Sequence, residues 1–344
     1  MKIRNLSIVL LIGMLIGLNP FARAQESSVD PFLGTWALDP DYESNRVGWI
    51  EISQEKAYID AEVLWRWGGV YPVDFVYVEG DHLFIMRGKD VVREKDKAGK
   101  AVRTQHQISW FEMKKEGDDI LSGIAYFPNR NSVGIESVSF TGKRLPDNSP
   151  APDLSKVKYG KPAQIFNSQD LSGWKVMGED AVNGWKVMDG IMVNDPVQKE
   201  GEEHIHYGNL RTIELFEDFN LTLEVNVPEG SNSGIYLRGI YEVQVMDSYE
   251  KPLGWNNMGA LYSRIVPAVS AEKPAGNWQK MDITLYKRHL TVVLNDQIII
   301  DNQAVKGVTG GALTSDEFIP GPIYLQGDHG KVSYRNFVLT PILE

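Results

Sequence analysis

Cysteine is missing from all 344 residues, which removes disulfides, thiolate nucleophiles and cysteine-ligated zinc or iron–sulfur centres from the available chemistry. Stability must come from packing. No Gly-rich phosphate loop follows a strand-like segment, and no stretch of a dozen residues has convincing helical periodicity, so a nucleotide cofactor is not expected. No other cofactor is expected either, with a structural calcium ion left open. Positive charge is scarce: 35 Lys and Arg against 46 Asp and Glu give a net charge of -11. That balance argues against nucleic acid as the partner, because such binding draws on Lys and Arg neutralising phosphates. A neutral ligand fits more easily. A membrane-spanning run is also lacking. Lys2 and Arg4 precede an apolar run at 8–18, which Asn19 and Pro20 break before Ala22-Arg23-Ala24. The run is shorter than the roughly 20 residues a spanning helix needs and has the layout of a secretory signal peptide. Residues 1–24 are the expected leader, with mature chain from near Gln25, where no cysteine stands to carry a lipid. The expected product is exported, soluble, and periplasmic or secreted, with no transmembrane segment.

What the chain does contain is 42% apolar residues and nine tryptophans, enough for one large core or two moderate ones. Short alternating segments at 47–53, 73–78, 82–87, 105–113, 120–127 and 137–145 are separated by turn residues such as Glu79-Gly80-Asp81 and Gly117-Asp118-Asp119. They read as an antiparallel barrel or sandwich. The segment 146–162 holds Pro-Asp-Asn-Ser-Pro-Ala-Pro and little apolar periodicity, the signature of an extended connection. Strand patterns resume at 219–227, 233–238, 242–246, 278–286, 289–294 and 321–326, with Asn295-Asp296 as a hairpin turn. The expected fold is all-β: an N-terminal β domain over 30–146, a linker over 147–162 and a second β domain over 163–344.

Alternate residues of a strand face opposite sides. In 241–247 the valines point one way, while Glu242 and Gln244 point the other. The same parity separates Tyr236 and Arg238 from Ile235 and Leu237, and Tyr324 and Gln326 from Ile323 and Leu325. Polar and aromatic groups from three segments thus share one side, which on a concave sheet makes a sugar-sized groove. Gly327-Asp328-His329-Gly330 follows Gln326 directly and puts a histidine and a carboxylate in a turn at a strand end, a usual place for function. A solvated sheet face is the plainer alternative. His204-Ile205-His206 has a metal-like composition beside Glu202 and Glu203, but no third ligand is indicated, and no metal is expected. Trp65-Arg66-Trp67 reads as a half-buried strand edge or, less simply, a sugar platform.

Phe32-Leu33-Gly34-Thr35-Trp36 resembles the Gly-x-Trp opening of lipocalin-like barrels. A longer resemblance covers 163–344. Phe166-Asn167-Ser168-Gln169-Asp170-Leu171-Ser172-Gly173-Trp174, Trp185 to Gly190, Asn232-Ser233-Gly234-Ile235-Tyr236-Leu237-Arg238, Pro274-Ala275-Gly276-Asn277-Trp278 and Gly321 to Gly330 resemble, in order, the motifs of the 3-keto-disaccharide hydrolase domain family. The ending Gln326-Gly327-Asp328-His329-Gly330 differs from a simple Gln-x-His-Gly by one residue, which shifts the histidine in register. The resemblance implies a concanavalin-like jelly-roll sandwich that cleaves 3-keto-glycosides by elimination across C1 and C2 followed by hydration. It implies Glu242, Asp247 and His329 as candidates for proton transfer. Arg238, Gln244 and Gln326 are candidates for holding the oxyanion and hydroxyls, with Tyr236, Tyr324 and Asn232 also lining the substrate site. A non-catalytic glycan-binding protein is the competing reading, since such sandwiches also serve as binding modules.

Overall fold

The computed structural model describes residues 28–199, 201 and 203–343; the expected leader, and Glu202 beside the histidine pair, lie outside the described residues. Nine antiparallel strands make up the first half: Gly34–Pro40, Gly48–Gln54, Ile59–Trp65, Tyr71–Pro72, Phe75–Glu79, His82–Lys95, Ala101–Lys115, Ile120–Pro128 and Ile135–Arg144. Each pairs with its sequence neighbour except across 72–75, and Gly34–Pro40 also pairs with Ile135–Arg144. The sheet curls about one core in which Trp36, Ile50, Val63, Ile85, Phe111 and Phe140 meet. The strand Ile59–Trp65 is not among the segments read from sequence, although Ile59, Ala61 and Val63 alternate with Asp60 and Glu62 until Leu64 breaks the period.

The second half is the expected jelly-roll sandwich. One sheet runs in the order Trp185–Met188, Ile191–Asn194, Val332–Leu343, Phe219–Asn226, Trp278–Tyr286, His289–Leu294, Gln297–Ala304. The facing sheet runs Trp174–Val176, Leu210–Thr212, Tyr324–Leu325, Asn232–Leu237, Tyr241–Met246. Strand Phe219–Asn226 buries every second residue, Phe219, Leu221, Leu223 and Val225, as a sheet with one face on a core must. Asn295 and Asp296 join His289–Leu294 to Gln297–Ala304 with φ of 49° and 67°, the left-handed conformation that a two-residue hairpin turn requires.

The connection between the halves is tied down. Asn148 donates to the Val305 carbonyl at 2.8 Å, Asn302 donates to the Pro152 carbonyl at 2.8 Å, and Lys158–Tyr159 pairs with the last strand. Val47, Trp49 and Leu64 of the first half belong to the sandwich's own hydrophobic core. No helix among the described residues is long and apolar enough to cross a membrane.

Candidate active site

Strand Tyr241–Met246 is buried on both faces. Val243 and Val245 enter the sandwich core, while Glu242 and Gln244, each 4% exposed, face away from it into a cavity of about 430 Å³. That size falls in the range of small-ligand sites. The floor is formed by Tyr236, Tyr324, Glu242, Gln244, Gln326 and Asn232; His206, Tyr207, Asn209, Asp328 and His329 form one wall, and Trp67, Gly68, Tyr262, Gly310 and Gly311 the other. Loops keep this polar face from being an ordinary solvated sheet. The Glu242 N–H donates to Thr309 Oγ1 at 2.9 Å, and Tyr262 N–H donates to the Glu242 carbonyl at 2.9 Å. Gly234, directly across from Gln244, has no side chain because the Glu242 carboxyl lies over it.

Burial pushes the Glu242 carboxyl up to about 8, with the Tyr236 hydroxyl pulling in the other direction. The hydrogen-bond geometry agrees with a neutral acid. Tyr236 Oη lies 2.8 Å from Glu242 Oε2 and 2.7 Å from the Gly310 carbonyl, yet a hydroxyl has one hydrogen to give. With Glu242 protonated, the carboxyl donates to Tyr236 and Tyr236 donates to Gly310, so each acceptor is served. Tyr324 stacks on Tyr236 with ring centroids 3.8 Å apart and donates to the Gly311 carbonyl at 2.6 Å. His329 is shifted the other way: burial lowers its pKa from the usual histidine value, and only the nearby Asp328 charge opposes this. The turn carrying it is fixed by Asn194, which donates to the Gly327 carbonyl at 2.8 Å, and by Asn209, whose side-chain oxygen accepts from Gly327 N–H at 2.8 Å.

Seven of the nine residues singled out from sequence line this one cavity: Asn232, Tyr236, Glu242, Gln244, Tyr324, Gln326 and His329. Arg238 and Asp247 do not. The strand ends at Leu237, and Arg238 turns away with φ of 54°; its guanidinium donates to the carbonyls of Glu317 and Ile319 at 2.8 and 2.6 Å. Asp247 has the parity of the valines rather than of Glu242, and its carboxylate accepts from Gly230 N–H at 2.9 Å in a surface turn. Neither is placed for substrate contact. Sequence reasoning also missed Asn209, Tyr207 and Tyr262, which lie in loops that carry no strand parity.

One expectation changes at the cavity's rim. His204 and His206 bring their rings together, with centroids 4.9 Å apart. Asp328 supplies the third group that the sequence did not reveal, and the three ligand atoms lie within 4.8 Å of one another. Two imidazoles and a carboxylate form a donor set suited to a zinc-type divalent ion. Asp328 is oriented by Tyr207 N–H, which donates to its Oδ1 at 3.0 Å.

Comparison with known proteins bears on the sandwich half. The family model described as a 3-keto-alpha-glucoside-1,2-lyase-like domain matches residues 161–340, just over half of the chain. A 3-keto-disaccharide hydrolase of Bacteroides thetaiotaomicron is 30% identical over a match covering 40% of this chain and 57% of that protein. The chain therefore spans little more than half the length of that curated relative. A crystal structure of a predicted glycosyl hydrolase from Parabacteroides distasonis is 28% identical, covering 56% of this chain and 93% of that one, with a TM-score of 0.42. A carbohydrate-binding module from Bacillus subtilis is 11% identical, covering 48% and 93%, with a TM-score of 0.32.

Proposed function

The chain belongs to the 3-keto-alpha-glucoside-1,2-lyase-like domain family through residues 161–340, and from that membership we propose that it cleaves glycosides whose C3 hydroxyl has been oxidised to a ketone. The C3 carbonyl acidifies the hydrogen on C2. A base removes that proton, the electron pair forms an enolate, and the enolate collapses to a C1–C2 double bond as the C1–oxygen bond breaks. An acid protonates the departing oxygen. Water then adds its oxygen to C1 and a proton to C2, so the sum is hydrolysis.

The observation that carries this reading is that Glu242 and His329 line one cavity together with the amides of Gln244, Gln326 and Asn232, where burial raises the pKa of the carboxyl and lowers that of the imidazole. Environments that push two titratable groups apart assign acid and base roles. His329 is the base at C2 and Glu242 the acid toward the leaving oxygen. The amides of Gln244, Gln326 and Asn232 are suited to the developing enolate and ring hydroxyls, since preorganised donors are worth most where charge appears. The test compares a 3-keto-disaccharide with its unoxidised parent and follows release of the second sugar. Release from the keto compound alone is expected. Equal rates on both would redirect the assignment to two-carboxylate glycoside hydrolysis. Binding without release from either would favour the glycan-binding alternative.

A further inference from the structure

We propose that Trp67, on the N-terminal domain, is the stacking platform of an outer sugar subsite that receives the ring leaving from C1. Residue 67 lies outside the matched family segment 161–340, yet it lines the same cavity as Glu242 and His329. Trp67 is 56% exposed, while the reacting acid sits on the buried floor. A pyranose ring presents a face of C–H bonds that packs on an aromatic plane, leaving its hydroxyls for polar partners at the edge. The inner ring belongs over Glu242 and the outer one at the rim, where Trp67 stands.

The loop carrying Trp67 is not a free surface loop. On one side the Arg66 carbonyl accepts from Gly311 N–H at 3.1 Å, and on the other Val70 N–H donates to Ser263 Oγ at 2.6 Å. Between them the Gly68 backbone lies so close to Gly310 that a Cβ on Gly310 would collide with it. Arg66 itself is held with its guanidinium 3.7 Å over the Tyr42 ring. Gly310 and Gly311 in turn accept from the two floor tyrosines, Tyr236 and Tyr324. The loop backbone that carries the platform is thus fixed to the same backbone that orients the Glu242 carboxyl, which lowers the ordering cost of binding.

This inference rests on the carbohydrate reading of the cavity, and the experiment separates the two. Wild type, Trp67→Ala and Trp67→Phe are assayed on a 3-keto-disaccharide and on the methyl 3-keto-glucoside, which lacks an outer ring. Trp67→Ala should raise KM for the disaccharide about tenfold, the scale of one aromatic contact, with kcat and both constants for the methyl glycoside changing less than about twofold. Trp67→Phe should recover most of the loss. Equal effects on both substrates, or none on either, would overturn the platform. Titration calorimetry with the unoxidised disaccharide adds a readout that needs no turnover. If wild type turns over neither keto compound, the proposed reaction falls, and the subsite still stands or falls on whether Trp67→Ala weakens that binding about tenfold.

Discussion

Glu242 is the residue whose environment makes the clearest forecasts, because its proton is tied to both rate and stability. As the acid it must be protonated, so turnover should decline as pH rises through about 8. As the base, His329 must be neutral, and turnover should decline on the acid side only below the ordinary histidine range, since burial lowers its pKa. Glu242→Gln and His329→Asn keep size and hydrogen bonding while removing proton transfer. Each should lower kcat by about 100-fold to 10,000-fold, the usual range for such groups, with melting near wild type at pH 5. Near-normal rates in both folded variants would remove these residues from the chemistry. The stability sign follows from the raised pKa. The unfolded carboxyl ionises from near 4.5 while the folded one holds its proton to about 8, so the unfolded state gains stability as pH rises through that window. The Glu242 contribution is intact below 4.5 and is lost toward 8, a decline of up to about 3–5 kcal/mol by linkage. Glu242→Gln should therefore melt above wild type at pH 8.5, and the gap should close near pH 4.5. An equal gap at both values would mean that the carboxyl is already ionised in the fold.

At the scale of elements, strand parity was legible and loop placement was not. Alternation alone located Glu242, Gln244, Tyr236, Tyr324 and Gln326 on one face, because a period of two is imposed by the backbone. It failed at Arg238, where the strand stops and parity no longer determines direction, whereas Asp247 shares the parity of the valines and was singled out against that pattern. Asp328 as a partner for His204 and His206, and Tyr262 and Trp67 as cavity walls, depend on contacts between segments far apart in sequence, which no local pattern encodes. Gly310 is the sharpest case. The Gly310-Gly311 pair marks a turn and no more, yet the Gly68 backbone occupies the space where a side chain would stand, and the Gly310 carbonyl receives the Tyr236 hydroxyl. Gly310→Ala should cost about 1–3 kcal/mol, as overpacking usually does, and should also lower kcat/KM about tenfold or more, because small displacements of positioned groups are expensive in rate. Gly117→Ala, in a turn with open space around it, is the matched control and should stay within about 0.5 kcal/mol. If the two variants melt and turn over alike, the apposition of the two backbones has no energetic weight.

Taken as a whole molecule, the chain is divided by topology but joined by packing. The strands form separate sheets on either side of residues 146–157, a pattern that in sequence reads as two units on a linker. The hydrophobic contacts do not respect that division, for Trp49 is fully inside the core that the sandwich builds for itself. Its ring lies 4.0 Å beneath the Arg264 guanidinium, which also donates to the Val308 carbonyl at 3.1 Å through Nε. Gly307 leaves room for its indole edge. Ser315 adds a polar clasp: it receives Gly48 N–H at 3.0 Å and donates to the Leu38 carbonyl at 2.7 Å. Separating the halves would expose Trp49 and leave the half-buried Arg264 without the ring it covers, so neither half keeps its full stability alone. Scanning calorimetry of the intact chain should show one transition with equal calorimetric and van't Hoff enthalpies. Trp49→Ala removes the shared element at about 3–5 kcal/mol, the usual cost of truncating a buried aromatic, and should split the transition into two, the sandwich melting apart from the N-terminal sheet. Two transitions already present in wild type would show that the shared core is too weak to couple them, and the Trp67 loop would then be carried by a domain that can detach from the site it lines.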